Sequence, residues 1–149
     1  MSWPVPELAI VLFSLLLNYP WEMLQIPFFA GMMEVAHWEG VKQCSRAAAG
    51  DALISVAAFW AAALATGSRQ WFIRPRARAW AAYMLTGVAV TVLFEEFATG
   101  AMGRWEYSTL MPTLPWLGTG LIPVIQWIAL PPVTLWLLRR HYLGSAPPS

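Results

Sequence analysis

Charge, cysteine and histidine are all scarce in this chain. Only 11% of its 149 residues are Asp, Glu, Lys or Arg, under half of the roughly 25% found in soluble domains. A soluble fold of this length would have no polar face to turn to water. The formal net charge of +1 offers no basic footprint for nucleic acid. The single cysteine, Cys44, excludes an internal disulfide and a cysteine-rich metal centre. There is no Gly-rich phosphate loop, no internal repeat and no low-complexity tract, and no serine has a histidine at a depth where the two could form a catalytic pair.

What fills the chain instead is apolar sequence: 58% of residues are hydrophobic and ten are tryptophan. Four stretches, at about 7–30, 50–66, 79–102 and 117–138, hold almost no charge. Most reach the roughly 20 residues that a spanning helix needs, and the second sits at the short limit. The composition predicts an all-α integral membrane bundle of four transmembrane helices in one domain, 1–149. The first stretch lacks a basic leader and carries Asn18, Pro20 and Glu22 inside it, so it reads as a span rather than a signal peptide. The residues after His141 read as a frayed end.

Four spans place both termini on one side. The segments on that side hold Arg69, Arg74, Arg76, Arg78, Arg139 and Arg140; the opposite loops hold only Lys42, Arg46 and Arg104. The positive-inside rule then predicts cytoplasmic N and C termini, and in a bacterium an inner-membrane protein with loops 31–49 and 103–116 in the periplasm. Trp38, Trp105 and Trp116 fall near the outer interface and Trp3, Trp71, Trp80 and Trp136 near the inner one, as an aromatic belt requires.

Four acids interrupt or border the apolar runs: Glu22, Asp51, Glu95 and Glu96. Charge in a lipid interior is costly and marks a site or a partnered network. On this topology all four lie in the outer half of the membrane. Ser14, Asn18, Glu22 and Gln25 share one helix face, Gly87, Thr91, Glu95 and Thr99 another, Asp51 and Ser55 a third, and Thr119, Gln126 and Thr134 a fourth. The stripes are expected to face one another. Glu95 and Glu96 point about 100° apart on a helix, so Glu95 is the expected buried acid, while Glu96 reaches the interface or Arg104. Pro20 and Pro27 free the carbonyls of Leu16 and Met23 beside Glu22. A weaker signal is Glu34-x-x-His37, which on a helix could share a metal, beside scattered methionines; the ligands are too few, and the plainer reading is an interfacial segment with a polar histidine. Gly103-Arg-Trp-Glu-Tyr107 and the Pro- and Gly-rich stretch to Gly120 read as a shaped loop with Trp105 and Tyr107 as an aromatic lid.

Glu95 or Glu96, Thr99-Gly100, Gly103-x-Trp105-x-Tyr107, Gly118-x-Gly120, Pro123 and Trp127 resemble patterns in two groups of membrane proteins, the carotenoid hydratases and the lycopene cyclase domains. The resemblance covers about a third of the chain. It implies acid chemistry on an isoprenoid double bond. Where the cyclase pattern has Pro-x-Glu-Glu this chain has Pro123-Val-Ile-Gln126, so both cyclase carboxylates are missing. Over its whole length the chain resembles small bacterial membrane proteins of unknown function that share the Asn18–Gln25 start, His37-Trp38, Cys44 and Gly50-Asp51.

The expected site therefore has Glu95 as acid, Glu22 and Asp51 holding a water or countercharge, and Gln126 orienting it. Asn18, Gln25, Thr91, Trp105 and Tyr107 complete the ligand-binding set. The expected partner is a membrane lipid or hydrophobic small molecule, with no cofactor. Two rivals stand beside this: a non-enzymatic subunit of a membrane complex or homo-oligomer, whose polar groups only hold helices together, and a metal-binding or transport protein.

Overall fold

The structure is a computed structural model that describes residues 5–144. Trp3 lies outside the described residues. Four helices form an all-α bundle: α1 Pro6–Gln25, α2 His37–Thr66, α3 Ala77–Glu96 and α4 Leu121–Gly144. A tight turn over Ile26–Phe28 extends α1, and a wide π turn over Phe97–Ala101 extends α3. With these extensions the helices run 23, 30, 25 and 24 residues, each long and apolar enough to cross a membrane. The protein is a multi-pass membrane protein by this measure.

Two boundaries differ from the sequence-based expectation. α2 begins at His37, not near Gly50. Its first turns carry His37, Glu39, Lys42 and Arg46, which read as loop, yet Gly40, Cys44, Ala48, Ala52, Ser55, Ala58 and Ala62 are buried along one face. That stripe of small residues lets neighbouring backbones approach closely, and Glu39 pairs with Lys42 at 2.6 Å on the exposed side. At 1.5 Å per residue, 30 residues rise about 45 Å, so the polar start of α2 projects beyond a hydrocarbon core of about 30 Å. α4 begins at Leu121 rather than 117 and runs on to Gly144, with Tyr142 buried against Phe72 at a ring separation of 5.1 Å. The residues just after His141 are thus helical, because an aromatic contact holds them.

Each helix packs on two others, α1 on α2, α2 on α3, α3 on α4 and α4 on α1. Gly87 of α3 makes room for α4: a methyl group there would run into the Trp127 ring. α2 ends at Gly67, whose φ of 66° suits a residue without a side chain.

The bundle is divided along its axis. The end nearest the chain termini is an apolar plug in which Ile10, Ala58, Phe59, Tyr83 and Leu138 are fully buried. Trp71 and Phe72 of the α2–α3 loop fold back to seal it, and the Trp71 indole donates to the Phe59 carbonyl at 3.1 Å. Arg69 clamps the same loop to α1 with a two-pronged bond to Glu7, at 3.1 and 2.7 Å. At the opposite end, the α3–α4 connection crosses back over α1. There the Ala30 amide donates to Glu106, and the Ser108 amide and hydroxyl donate to the carbonyls of Phe28 and Pro27. These carbonyls end a helix and have no intrahelical partner, so the returning loop satisfies them.

Candidate functional site

The polar stripe of α1 forms as its spacing requires: Ser14, Asn18, Glu22 and Gln25 are all buried. So are Ser55 of α2, Gly87, Thr91 and Glu95 of α3, and Gln126 and Thr134 of α4. Asp51 is half-buried and Thr99 also half-buried. Thr119 is buried but precedes α4, in the connecting loop.

These groups do not gather at one point. Most of them form two clusters in the half of the bundle away from the termini; Thr134 stands apart and donates to the Leu130 carbonyl of its own helix at 3.1 Å.

The first is built around the Gln126 amide. Its nitrogen lies 2.7 Å from Asn18 Oδ1, 3.1 Å from Glu22 Oε1 and 2.8 Å from Asp51 Oδ2. One –NH₂ group has two hydrogens, so three oxygens on α1 and α2 share them. Gln25 donates to Glu22 Oε2 at 2.6 Å, and the Trp127 indole donates to Asp51 Oδ1 at 3.3 Å. From Asn18 the chain of bonds continues to Ser14, at 2.9 Å, and on to Ser55, at 3.0 Å. Beyond Ser55 the apolar plug begins, so the polar path stops about halfway through the bundle. No Lys or Arg forms an ion pair with Glu22 or Asp51 among the described residues. Burying two carboxyl groups side by side without a cation is costly, and amide and indole donors are what the fold supplies in place of one.

The second cluster is built around Glu95. Its Oε2 accepts from the Tyr107 hydroxyl at 2.5 Å and from the Trp105 indole at 3.4 Å. Tyr107 is fixed in turn by the Gly120 amide, which donates to its oxygen at 3.0 Å. Burial, then the adjoining Glu95 carboxyl, push the Tyr107 hydroxyl above its ordinary range, so it stays a donor. Phe29 packs its edge on Trp105 at 6.4 Å and lies 5.8 Å from Tyr107; Phe94 lies 5.8 Å from Trp105. Two aromatic side chains, Tyr107 and Trp105, thus hold the acid, and Phe29 and the exposed Phe94 pack against those rings. Thr99 does not bond the Glu95 side chain. It donates to the Glu95 carbonyl at 2.8 Å, a carbonyl at the point where the α-helix widens into the π turn.

Several expectations need correction. Gln126 lies with Glu22 and Asp51, while Glu95 is held apart from them by loop side chains, so the acids do not make one site. Glu96 is exposed and accepts from the Thr119 hydroxyl, not from Arg104, whose guanidinium lies over the Trp105 ring at 5.6 Å. Glu34 lies in the turn before α2, and both it and His37 are exposed, so the helical geometry that would let them share a metal is absent. Among the described residues, no group of three or more His, Cys, Asp or Glu is placed to hold a metal. Trp105 and Tyr107 are half-buried and donate hydrogen bonds to the acid. Trp127 and Ser108 have roles that no spacing pattern revealed. The room that Trp127 needs to reach inward comes from Gly87 on the facing helix.

No family model, no curated protein and no solved structure matches this chain, so what the fold itself shows stands as the identification: a four-helix membrane bundle with an acid-rich polar half and an apolar half.

Proposed function

We propose that the protein binds a hydrophobic, isoprenoid-like molecule at the polar end of the bundle and carries out acid chemistry on one of its double bonds. The observation that carries this is Glu95, a buried carboxyl fixed by Tyr107 and Trp105, whose rings are backed by Phe29 and Phe94. Protonating an alkene needs a positioned acid in a site that excludes water, and the branched alkenes of isoprenoids give tertiary cations, the most readily formed. Aromatic faces stabilise such a cation.

In the step proposed, Glu95 Oε1 carries the transferable proton because Oε2 is occupied by both donors. The C=C π electrons take that proton, a C–H bond forms and the O–H bond breaks, leaving a carboxylate that Tyr107 and Trp105 stabilise. The cation then gains water or loses a proton, and a proton returns to Glu95. Glu22, Asp51, Asn18, Gln25 and Gln126 form the polar floor, and Thr91, one turn before Glu95 on α3, adds a buried hydroxyl with no hydrogen-bond partner among the described residues. The arginine bias supports placement in a bacterial inner membrane with cytoplasmic termini and this end toward the periplasm.

The test compares lipid extracts from cells making the wild type and Glu95→Gln by mass spectrometry. A changed isoprenoid profile with the wild type, abolished in a folded Glu95→Gln variant, is the expected result. Identical profiles would sink the proposal.

A second reading, a non-enzymatic subunit of a membrane complex, is favoured by one feature: the Gln126 amide bonds α4 to both α1 and α2, which is what polar groups do when they only hold helices together. A stable partner recovered in mild detergent from both wild type and a Glu22→Gln/Glu95→Gln variant would support it over the enzymatic one.

A further inference from the structure

The formal side-chain charge is strongly divided along the bundle axis. The end nearest the termini holds six arginines and one acid, Glu7, which Arg69 already engages; the other end holds three basic residues and seven acids. The first end therefore carries an excess of five positive charges, all of them arginine, while the chain's only lysine, Lys42, is at the other end.

The five are brought together by the fold. Arg74 and Arg76 lie in the α2–α3 connection and Arg78 in the first turn of α3, next to the final turns of α4 that carry Arg139 and Arg140. The Phe72–Tyr142 contact ties the two segments together. All five guanidinium-bearing residues are exposed, and none forms an ion pair among the described residues.

Their height is set by helix length. Arg139 and Arg140 follow Leu121 by 18 and 19 residues, or about 27–29 Å at 1.5 Å per residue. That matches the roughly 30 Å hydrocarbon thickness, so the arginines of a spanning α4 emerge at the headgroup layer. Arg140 lies over the exposed Trp136 ring at 5.5 Å, a pairing suited to that boundary.

We infer that this end is a binding surface for the phosphates of anionic phospholipids, read by arginine forks rather than by charge alone. A guanidinium offers parallel N–H donors that match two phosphate oxygens, whereas an ammonium acts as a point charge. The surface is separate from the acid clusters and does not depend on the chemistry proposed for them.

The test reconstitutes the full chain in phosphatidylcholine vesicles and measures, by electron spin resonance, the association of spin-labelled phosphatidylglycerol relative to spin-labelled phosphatidylcholine. Each cation held near a surface raises association with anionic lipid about fivefold, shared among the lipids around the protein. The expected result is a severalfold preference at low salt that falls as salt rises. Arg74→Gln, Arg76→Gln, Arg78→Gln, Arg139→Gln and Arg140→Gln together should bring it to one. The five corresponding lysine substitutions should leave a reduced preference, and Lys42→Gln with Arg104→Gln should leave it unchanged. No preference in the wild type overturns the inference, as does a preference that survives the glutamine set. A lysine set equal to wild type overturns the fork recognition. Should the fivefold variant fail to fold, Arg139→Gln with Arg140→Gln must still lower the preference at least twofold.

Discussion

Replacing Gln126 with leucine removes the one donor that reaches Asn18, Glu22 and Asp51 together. Leucine fills nearly the same volume, so the loss reads as polar rather than as a cavity. Interhelical hydrogen bonds inside membrane proteins average about 0.6 kcal/mol and reach about 1.7 kcal/mol. Two hydrogens make two full bonds, and carboxyl acceptors push them toward the upper value, which gives roughly 2–3 kcal/mol. Leaving a buried acceptor unpaired adds about 1 kcal/mol or more, and the better burial of leucine offsets part of it. The expected net loss is about 2–4 kcal/mol, measured by equilibrium unfolding in mixed detergent micelles. The geometry also predicts the pattern of coupling. Because three oxygens compete for two hydrogens, deleting one acceptor lets the amide turn fully to the others. A double-mutant cycle between Gln126→Leu and Asn18→Ala should therefore return less than one full bond, while the triple removal of acceptors should account for most of the effect. A loss under about 0.5 kcal/mol, or strictly additive cycles, would refute the idea that this amide organises the cluster.

Two further outcomes follow from the packing and the loop. Gly87→Val should cost about 1–3 kcal/mol by overpacking, since its Cβ meets the Trp127 ring; a shifted tryptophan emission would show the indole leaving Asp51, and an unchanged spectrum and stability would contradict it. Tyr107→Phe should cost about 1 kcal/mol from the lost bond to Glu95. Because the folded state raises the Tyr107 titration, the stability it brings is complete below the ordinary tyrosine value near 10 and is lost as pH rises past it. Unfolding measured between pH 8 and 11 should show a base-sensitive step in the wild type that phenylalanine reduces; an identical step in both would count against the assignment.

Helical spacing was enough to find most of the buried polar groups. Steps of three and four put Ser14, Asn18, Glu22 and Gln25 on one face, and all four are buried. The same geometry separated Glu95 from Glu96, and the two differ in burial as that requires. Spacing fails where a residue's environment is supplied by a distant segment. The charged start of α2 reads as loop because hydropathy counts Glu39, Lys42 and Arg46, while the face made by Gly40, Cys44 and Ala48 is polar-neutral and silent in such a count. The partners of Glu95 are not legible in the spacing for a similar reason. Tyr107 and Trp105 follow it by 12 and 10 residues through a π turn and an irregular loop, where no period relates sequence position to direction.

The sequence by itself determined four spans, the stripe on each, and the arginine-rich end, because these depend on composition and on a fixed 3.6-residue period. Only the tertiary structure decided that the acids divide into two groups, Glu22 with Asp51 around Gln126, and Glu95 held by Tyr107 and Trp105. That division depends on how far each helix is rotated and shifted against its neighbours and on where the α3–α4 loop lands. Those quantities are set by packing, such as Gly87 against Trp127 and Ser108 on the end of α1, and have no periodic trace in the chain.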